Sequence, residues 1–257
     1  MPSEHPTLST RDLTVRFGGH VAVNAVTADF RPGTLTAIVG PNGAGKTTYF
    51  NLISGQLAAT AGSVSLFGED VTRLGASQRA RRGIGRAFQL TQLFPGLTVM
   101  ENVRLAVQSR ARVGMQALSL CARHVELVEK AEHYLHRAAL EDRRDAAAAS
   151  LSHGEQRKLE VAMLLALEPQ VLMFDEPTAG MSAGEVPVVL ELIQQIRAQG
   201  DRTVLLVEHK LDVVRSLADR VLVLHEGALV ADGSPGEVMA SAIVRAAYLG
   251  VEEGAHA

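Results

Sequence analysis

The stretch GPNGAGKTT at residues 40–48 restricts the possible folds of this chain more than any other part of the sequence. It matches the complete pattern G-x-x-x-x-G-K-[ST] of a loop that binds phosphate groups. A short apolar run, Leu35–Val39, leads directly into it, and residues 47–57 have the pattern of a helix. Because such a loop joins a buried strand to a helix, this order predicts an α/β fold with a nucleotide site.

The loop contains the residue types that phosphate binding needs. Its glycines allow the main chain to wrap a phosphate group with several N–H groups pointing inward, and the helix that follows adds the positive end of its dipole. Lys46 is expected to reach the β- and γ-phosphates, and the Thr47 hydroxyl is expected to bind Mg²⁺. A chance glycine-rich turn is the competing interpretation, which the complete pattern argues against. The predicted nucleotide-binding residues are Gly40, Pro41, Asn42, Gly43, Ala44, Gly45, Lys46, Thr47 and Thr48.

Two acidic residues follow a second apolar run, at residues 171–174. Asp175 is predicted to join the Mg²⁺ shell, and Glu176 to polarise the water that attacks the nucleotide. An isolated Asp-Glu pair is more often a solvated turn. The phosphate loop upstream favours the catalytic interpretation here.

The motif LSHGEQ at residues 151–156 lies between the loop and the acidic pair. Ser152 and Glu155 fit a capping box, with which many ordinary helices begin. Gly154 is expected to leave the helix start open to an anion as well. Since the chain already has a complete phosphate loop, this second anion site is expected to serve a neighbouring subunit.

Three single residues are further candidates. His209 follows the strand pattern at residues 203–207, and the carboxyl end of a parallel strand faces the ligand, so it is predicted to sense the γ-phosphate. Gln89 borders the helical segment and could bridge the metal and that segment. Phe17 could stack on adenine, although an aromatic residue in a strand is more often part of the core.

Composition sets outer limits on the function. The 257 residues are 47% hydrophobic, enough for a sizeable core, and the net charge of −3 gives no sign of a nucleic-acid partner. The single cysteine, Cys121, excludes an internal disulfide and suits a reducing compartment. A signal peptide is not expected, because the N-terminus has no basic start followed by an apolar stretch. A membrane span is not expected either, because the longest apolar run covers only residues 161–167.

Strand and helix patterns alternate outside the middle of the chain, which predicts βαβ units with a buried parallel sheet. We predict a single domain at residues 7–250. It comprises a nucleotide-binding core at 7–89 and 166–233, an inserted helical subdomain at 90–165, and a C-terminal helix at 234–250. Residues 251–257 are predicted to form a loose tail.

Taken in order, these motifs resemble those of an ATP-binding cassette subunit, the motor of ABC transporters, over roughly residues 8–250. The resemblance implies a RecA-like P-loop NTPase core with an antiparallel β subdomain and an inserted helical subdomain. It also implies a head-to-tail pair of cassettes, in which Ser152 and Gly154 contact ATP held by the other one. On this resemblance His209 is the switch histidine, Gln89 a catalytic and metal-contacting glutamine, and Phe17 the adenine-stacking aromatic.

Finer features are similar to those of importer ATPases for branched-chain amino acids. DEPTAGM and the LSHGE form also resemble the urea and amide importers, and His153 stands where the commonest signature has glycine. An ATPase of lipopolysaccharide export is a further alternative. A soluble cassette protein acting on ribosomes or DNA is a different class, but such proteins usually have two cassettes or a long coiled-coil insertion, and this sequence shows neither. A regulatory nucleotide-binding protein without hydrolysis is a further alternative, which intact Glu176 and His209 argue against. The segments similar to the amino-acid importers are VRFGG at 15–19, GIGRAFQ at 83–89, LFPGLTVMENV at 93–103 and AYLG at 247–250.

The resemblance also implies cofactors, partners and a location. ATP and Mg²⁺ are expected as ligands. The expected partners are a second cassette, identical or paralogous, two membrane permeases and, indirectly, a solute-binding protein. The cassette is expected at the cytoplasmic face of the plasma membrane as a peripheral subunit, with Leu93, Phe94 and Val99 as apolar anchors for the permeases.

Overall fold

A computed structural model describes residues 6–87, 93–111, 125–181, 184 and 186–241. The chain divides into two compact units. The first comprises residues 1–84, 170–176 and 196–257, and the second comprises residues 85–169 and 177–195. The second unit thus includes residues 177–195, which the sequence-based division assigned to the nucleotide-binding core.

The described chain contains both helices and strands, with two short 3₁₀ turns at residues 141–143 and 148–150. In chain order they are β1 (Leu8–Phe17), β2 (His20–Phe30), β3 (Leu35–Val39), α1 (Lys46–Ser54), β4 (Ala61–Leu66), β5 (Glu69–Asp70), α2 (Ala76–Arg81), β6 (Ile84–Ala87), α3 (Val99–Ala111), α4 (Val125–Arg137), α5 (His153–Ala166), β7 (Val171–Asp175), α6 (Val186–Ala198), β8 (Thr203–Val207), α7 (Leu211–Leu217), β9 (Arg220–His225), β10 (Ala228–Gly233) and α8 (Pro235–Ala240).

A mainly parallel sheet forms the centre of the first unit. Within this unit its strand order is β10-β9-β3-β8-β7. Strands β9, β3, β8 and β7 pair in parallel, and every residue of β3, β7 and β8 is buried. Continuous apolar strands of this kind are typical of a parallel sheet covered on both faces, and they confirm the expected α/β class.

A second, antiparallel sheet has the order β2-β1-β4-β5. Helix α1 packs through Phe50 into a hydrophobic cluster that also contains residues of both sheets, among them Phe30 on β2 and Met173 on β7. The buried Tyr49 hydroxyl lies 2.8 Å from the Thr10 hydroxyl and so links α1 to β1. This sheet is the antiparallel β subdomain that the resemblance implied.

Helix α1 ends three residues earlier than its sequence pattern predicted. Gly55 adopts a left-handed conformation, with φ 77°, and closes the helix after Ser54. The buried Arg79 guanidinium donates hydrogen bonds to the carbonyls of Leu52 at 2.6 Å and Ile53 at 2.7 Å. A cation at this end of a helix is favourable because the helix dipole is negative there. Arg79 therefore fixes the C-terminal end of the helix that begins at the phosphate loop.

The described part of the second unit is largely helical, as its sequence predicted. Asn102 on α3 is fully buried, and its side-chain amide exchanges hydrogen bonds with the main-chain N–H and C=O of Phe94 at 2.9 and 3.1 Å. Phe94 itself is 51% exposed. Val99, in contrast, is fully buried at the start of α3, so its prediction as a surface anchor was wrong. An apolar residue near a helix start gives no sequence signal of which way it faces.

The last predicted helix is shorter than expected. Ser234 and Glu237 form the predicted capping box at the start of α8, with Pro235 in its first turn. The helix ends at Ala240, because Ser241 has an extended main chain with ψ 133°. Residues 242–257 lie outside the described part of the chain. Among the described helices, none combines the length and the apolar character needed to cross a membrane.

Candidate active site

The phosphate loop lies between the buried strand β3 and helix α1, as predicted. Gly45 precedes α1 in a left-handed conformation, with φ 94°, and has no side chain to cover the first turn. The first turn of α1 also carries no acidic residue. The first N–H groups of a helix lack partners within the helix, so this arrangement suits a bound anion.

Lys46 is held inside the loop. Its side chain is 5% exposed, and Nζ donates hydrogen bonds to the carbonyls of Gly40 at 2.7 Å and Pro41 at 2.9 Å. Burial lowers the pKa of the Lys46 ammonium group, and the carboxylates of Glu176 and Asp175 act in the opposite direction. A phosphate beside Nζ would favour the charged form for the same electrostatic reason.

The other predicted loop residues differ in their exposure. Residues Asn42, Gly43 and Thr47 are exposed, whereas Gly40 and Ala44 are buried. Pro41, Gly45 and Thr48 are partly buried. The exposed residues leave one side of the loop accessible, and the buried ones attach it to the first unit.

Glu176 and His209 meet at the ends of neighbouring parallel strands. The Glu176 N–H donates to the Val207 carbonyl at 2.9 Å, which continues the pairing of β7 with β8 by one residue. His209 Nε2 then lies 2.5 Å from Glu176 Oε1. The sequence placed both residues at strand ends but did not predict this direct contact.

Glu176 also has an unusual main-chain conformation. Its φ is 49°, in the left-handed region, which costs a non-glycine residue roughly 1–2 kcal/mol. Strained residues of this kind persist only where the surrounding structure holds them, and they concentrate at functional sites. The strain here therefore agrees with a functional role for Glu176.

Glu208 supports the histidine and was given no role by the sequence analysis. It is buried, and its Oε2 accepts hydrogen bonds from the main-chain N–H groups of His209 at 2.7 Å and Lys210 at 3.2 Å. The carboxylate thus fixes the main chain that carries the His209 ring. The available signal was a charged residue directly after the apolar run of β8.

Thr47 and Asp175 fit the chemistry of a Mg²⁺ site. Mg²⁺ prefers hard oxygen ligands and commonly binds one or two protein groups together with nucleotide phosphates. The Thr47 side chain is exposed on the first turn of α1, and Asp175 ends β7 in the same unit. Gln89, the third predicted metal contact, lies outside the described residues.

The signature motif begins helix α5 in the second unit, and its predicted capping box is present. Ser152 Oγ accepts a hydrogen bond from the Glu155 N–H at 3.3 Å, and the Ser152 N–H donates to Glu155 Oε2 at 2.8 Å. The hydrogen bond from the Ser152 N–H to the carboxylate is the main reason that the pKa of Glu155 is lowered. Ser152 is exposed, but Gly154 is buried, which corrects the expectation that Gly154 leaves the helix start open. The accessible side chains at this helix start are those of Ser152 and His153.

His153 lies near the loop at residues 177–181, which belongs to the same unit. Its Nε2 lies 3.6 Å from the position that a Cβ atom on Gly180 would occupy, and Gly180 has φ +74°. The residue that departs from the commonest signature therefore lies beside Gly180, in the loop at residues 177–181.

Phe17 ends β1 and is 51% exposed, so the interpretation of this residue as part of the core is wrong. Register shifts in the pairing of β1 with β2, between Leu13 and Val15 and between Val15 and Arg16, interrupt the regular alternation just before it. An exposed aromatic ring is available for stacking on a base.

Comparison with known proteins agrees with this arrangement. The family model described as ABC transporter matches residues 23–179, more than half of the chain. The high-affinity branched-chain amino acid transport ATP-binding protein LivG of Escherichia coli (strain K12) is 36% identical over 250 residues, covering 95% of this chain and 98% of LivG. BraF of Pseudomonas aeruginosa, which has the same description, is also 36% identical with the same coverage.

Solved structures give the same answer for the fold. The ADP conformation of MJ1267, an ATP-binding cassette of an ABC transporter, matches with a TM-score of 0.82 at 29% identity, covering 95% of this chain and 98% of that one. The protein cbiO1 from Clostridium perfringens, part of the ABC transporter complex cbiONQ, matches with a TM-score of 0.79 at 26% identity, covering 97% and 96%. The chain therefore belongs to the ABC transporter family, as an ATP-binding cassette of the ABC-type ATPases.

Proposed function

We propose that this cassette is the motor of an importer for branched-chain or related amino acids. The observation that carries the catalytic part of the proposal is the Glu176–His209 contact in the unit that holds the phosphate loop. The substrate class follows from relatives of the amino-acid transport description that match nearly the whole chain.

The loop residues bind ATP in this proposal. Lys46 pairs with the β- and γ-phosphates, while the N–H groups at the start of α1 surround them. Mg²⁺, when bound by Thr47 and Asp175, would neutralise charge on the phosphates. The exposed ring of Phe17 is the candidate contact for adenine.

Glu176 activates water for hydrolysis. Its carboxylate accepts a hydrogen bond from the water and takes up a proton while the water oxygen bonds to the γ-phosphorus. The bond from that phosphorus to the bridging oxygen breaks, and ADP leaves with the electron pair. His209 fixes the Glu176 carboxylate through their contact, so the base is oriented before the nucleotide arrives.

We expect the Glu176→Gln variant to bind ATP with a Kd within about twofold of the wild type. Its turnover should fall by about a hundredfold or more, because an amide cannot accept the proton. Nucleotide titration and phosphate release measure these two quantities. Glu191→Gln, at an exposed position on α6, is the matched control and should leave both unchanged. Wild-type turnover in Glu176→Gln would show that the base lies elsewhere.

A second cassette completes the site in this proposal. Ser152 is exposed at the start of α5, where its hydroxyl and the helix dipole can face a γ-phosphate held by another subunit. In the capping box the Ser152 oxygen already accepts a hydrogen bond from the Glu155 N–H. A signature motif differs from an ordinary helix cap because its exposed hydroxyl also binds the γ-phosphate of ATP held by another subunit.

Replacement of Ser152 by Asp tests this second use. Aspartate caps helices about as well as serine does, so an ordinary cap would tolerate it. Next to a γ-phosphate, however, the new carboxylate would repel the nucleotide and oppose closure of the two cassettes. We expect ATP affinity of the isolated cassette to stay within about twofold, while turnover of the assembled transporter falls by about a hundredfold.

Ser234→Asp is the control for this variant, because Ser234 occupies the same position in the capping box of α8. Both substitutions place a carboxylate next to the glutamate of a capping box, so their melting temperatures should change by similar amounts. If Ser152→Asp hydrolysed ATP as fast as Ser234→Asp in the assembled transporter, the motif would be a helix cap only.

The permeases are proposed to dock beside Phe94. This exposed ring lines an apolar cavity of about 380 Å³ within the second unit, together with Leu105, Met163 and Leu167. Asn102 holds the Phe94 main chain, so the surface is preformed. Two permeases held in this way would keep the cassette at the cytoplasmic face of the membrane, and a solute-binding protein would act through them.

The Phe94→Asp variant should fold and bind ATP normally, because the ring is already exposed in the single chain. Co-expressed with its permeases, it should be recovered with membranes at less than about a tenth of the wild-type amount. Phe67→Asp is the control, since Phe67 is 55% exposed on a turn of the first unit. Equal membrane recovery of the two variants would exclude the Phe94 surface as the docking site.

A further inference from the structure

The turn between β9 and β10 lies directly against the phosphate loop. The main-chain N–H of Gly227 donates a hydrogen bond to the Ala44 carbonyl at 3.1 Å. The Gly227 carbonyl in turn accepts one from the Asn24 N–H on β2 at 2.8 Å. One residue of the turn thus joins the loop to the antiparallel sheet, and all three segments belong to the first unit.

The bond to Ala44 determines which way the next N–H points. In a trans peptide the C=O of one residue and the N–H of the next point in opposite directions. No described peptide bond of this chain is cis. Because Gly227 holds the Ala44 carbonyl on the outer side of the loop, the Gly45 N–H faces the opposite side. Inward-pointing N–H groups are what a loop of this type uses to bind phosphate.

Close main-chain contacts leave the loop little room to shift. A Cβ atom on Gly40 would lie 2.1 Å from the Leu224 carbonyl oxygen at the end of β9. A Cβ atom on Gly45 would lie 2.4 Å from the Ala22 carbonyl oxygen on β2. Both separations are far shorter than any real contact of a Cβ atom, so the loop rests on the main chain of these two strands.

Gly227 packs against the same carbonyl of β2 as Gly45 does. It has φ +79°, and a Cβ atom there would lie 2.8 Å from the Ala22 carbonyl oxygen. A side chain at this position must therefore displace either β2 or the turn. Either movement would strain the hydrogen bond between Gly227 and Ala44.

We propose that the turn at residues 226–227 is a positioning element for ATP binding, with Gly227 as its main residue. It holds the Ala44–Gly45 peptide in the orientation that directs the Gly45 N–H toward the phosphates before the nucleotide arrives. Orientation before binding raises affinity because less order must be created on binding. The inference rests on the proposed role of the loop in binding ATP.

The test compares Gly227→Ala with Gly68→Ala. Gly68 has φ +81° on another turn of the same unit, with open space around its missing Cβ atom. Both variants place alanine in a left-handed conformation, but only Gly227→Ala presses on the segments around the loop. We expect the Kd for ATP to rise about tenfold in Gly227→Ala and less than twofold in Gly68→Ala, measured by nucleotide titration.

A third variant, Gly227→Asn, separates crowding from main-chain strain. Asparagine enters the left-handed region more readily than alanine, but its Cβ atom still meets Ala22. We therefore expect the ATP affinity of Gly227→Asn to stay below that of the wild type, as in Gly227→Ala. Affinity restored to the wild-type value would instead mean that only the strained φ matters, and would overturn it.

Hydrogen exchange of the wild-type protein gives a readout that needs no variant to fold. ATP should slow exchange of the Gly227 N–H by about tenfold, because an occupied loop keeps the bond to Ala44 closed. Unchanged exchange with ATP bound would contradict the proposal.

If the wild type fails to bind ATP, the proposed function fails. If the wild type binds and all variants match Gly68→Ala, the positioning role alone is wrong.

Discussion

The parallel pairing of β3, β8 and β7 is the constraint on which the rest of the site depends. Ile38 and Asp175 both lie opposite Val207 in the register of these strands. The carboxyl ends of the three strands therefore reach the same edge of the sheet. The phosphate loop follows β3, Glu176 follows β7, and His209 follows β8. A shift of one residue in this register would turn the buried side chains toward the other face of the sheet.

The burial of these strands is what makes the register specific. All residues of β3, β7 and β8 are buried, so each strand is held by side chains on both faces of the sheet. The residues at this edge of the sheet include some that by themselves destabilise the folded state, such as the left-handed Glu176 and the buried Lys46. The stability of the sheet thus maintains a strained and partly desolvated site.

The two units contribute different halves of the proposed catalytic cycle. The first unit contains the loop, the candidate metal ligands Thr47 and Asp175, and the candidate base Glu176. The second contains the signature helix α5 with Ser152 exposed at its start, and the apolar cavity beside Phe94. A single cassette would therefore bind ATP, whereas hydrolysis would require a second cassette, and transport would require the permeases.

The sequence predicted those parts of the site that follow directly from local pattern. Motifs placed immediately after fully apolar strands were located correctly, since a buried parallel strand brings its end to the ligand edge. The end of α1 and the burial of Val99 were missed, because both depend on how a residue packs against distant parts of the chain. The hydrogen bond from Gly227 to Ala44 joins main-chain atoms, and no side-chain pattern encodes it.

The ATP affinity of the Lys46→Ala variant is the direct test of the phosphate loop as the nucleotide site. Lys46 is the side-chain cation that the loop holds between the carbonyls of Gly40 and Pro41. Titration with Mg²⁺ and ATP should give a Kd at least about a hundredfold above that of the wild type. The control Lys130→Ala, at an exposed position on α4, should bind as the wild type does. Equal affinity of Lys46→Ala and Lys130→Ala for ATP would contradict the assignment of the loop as the nucleotide site.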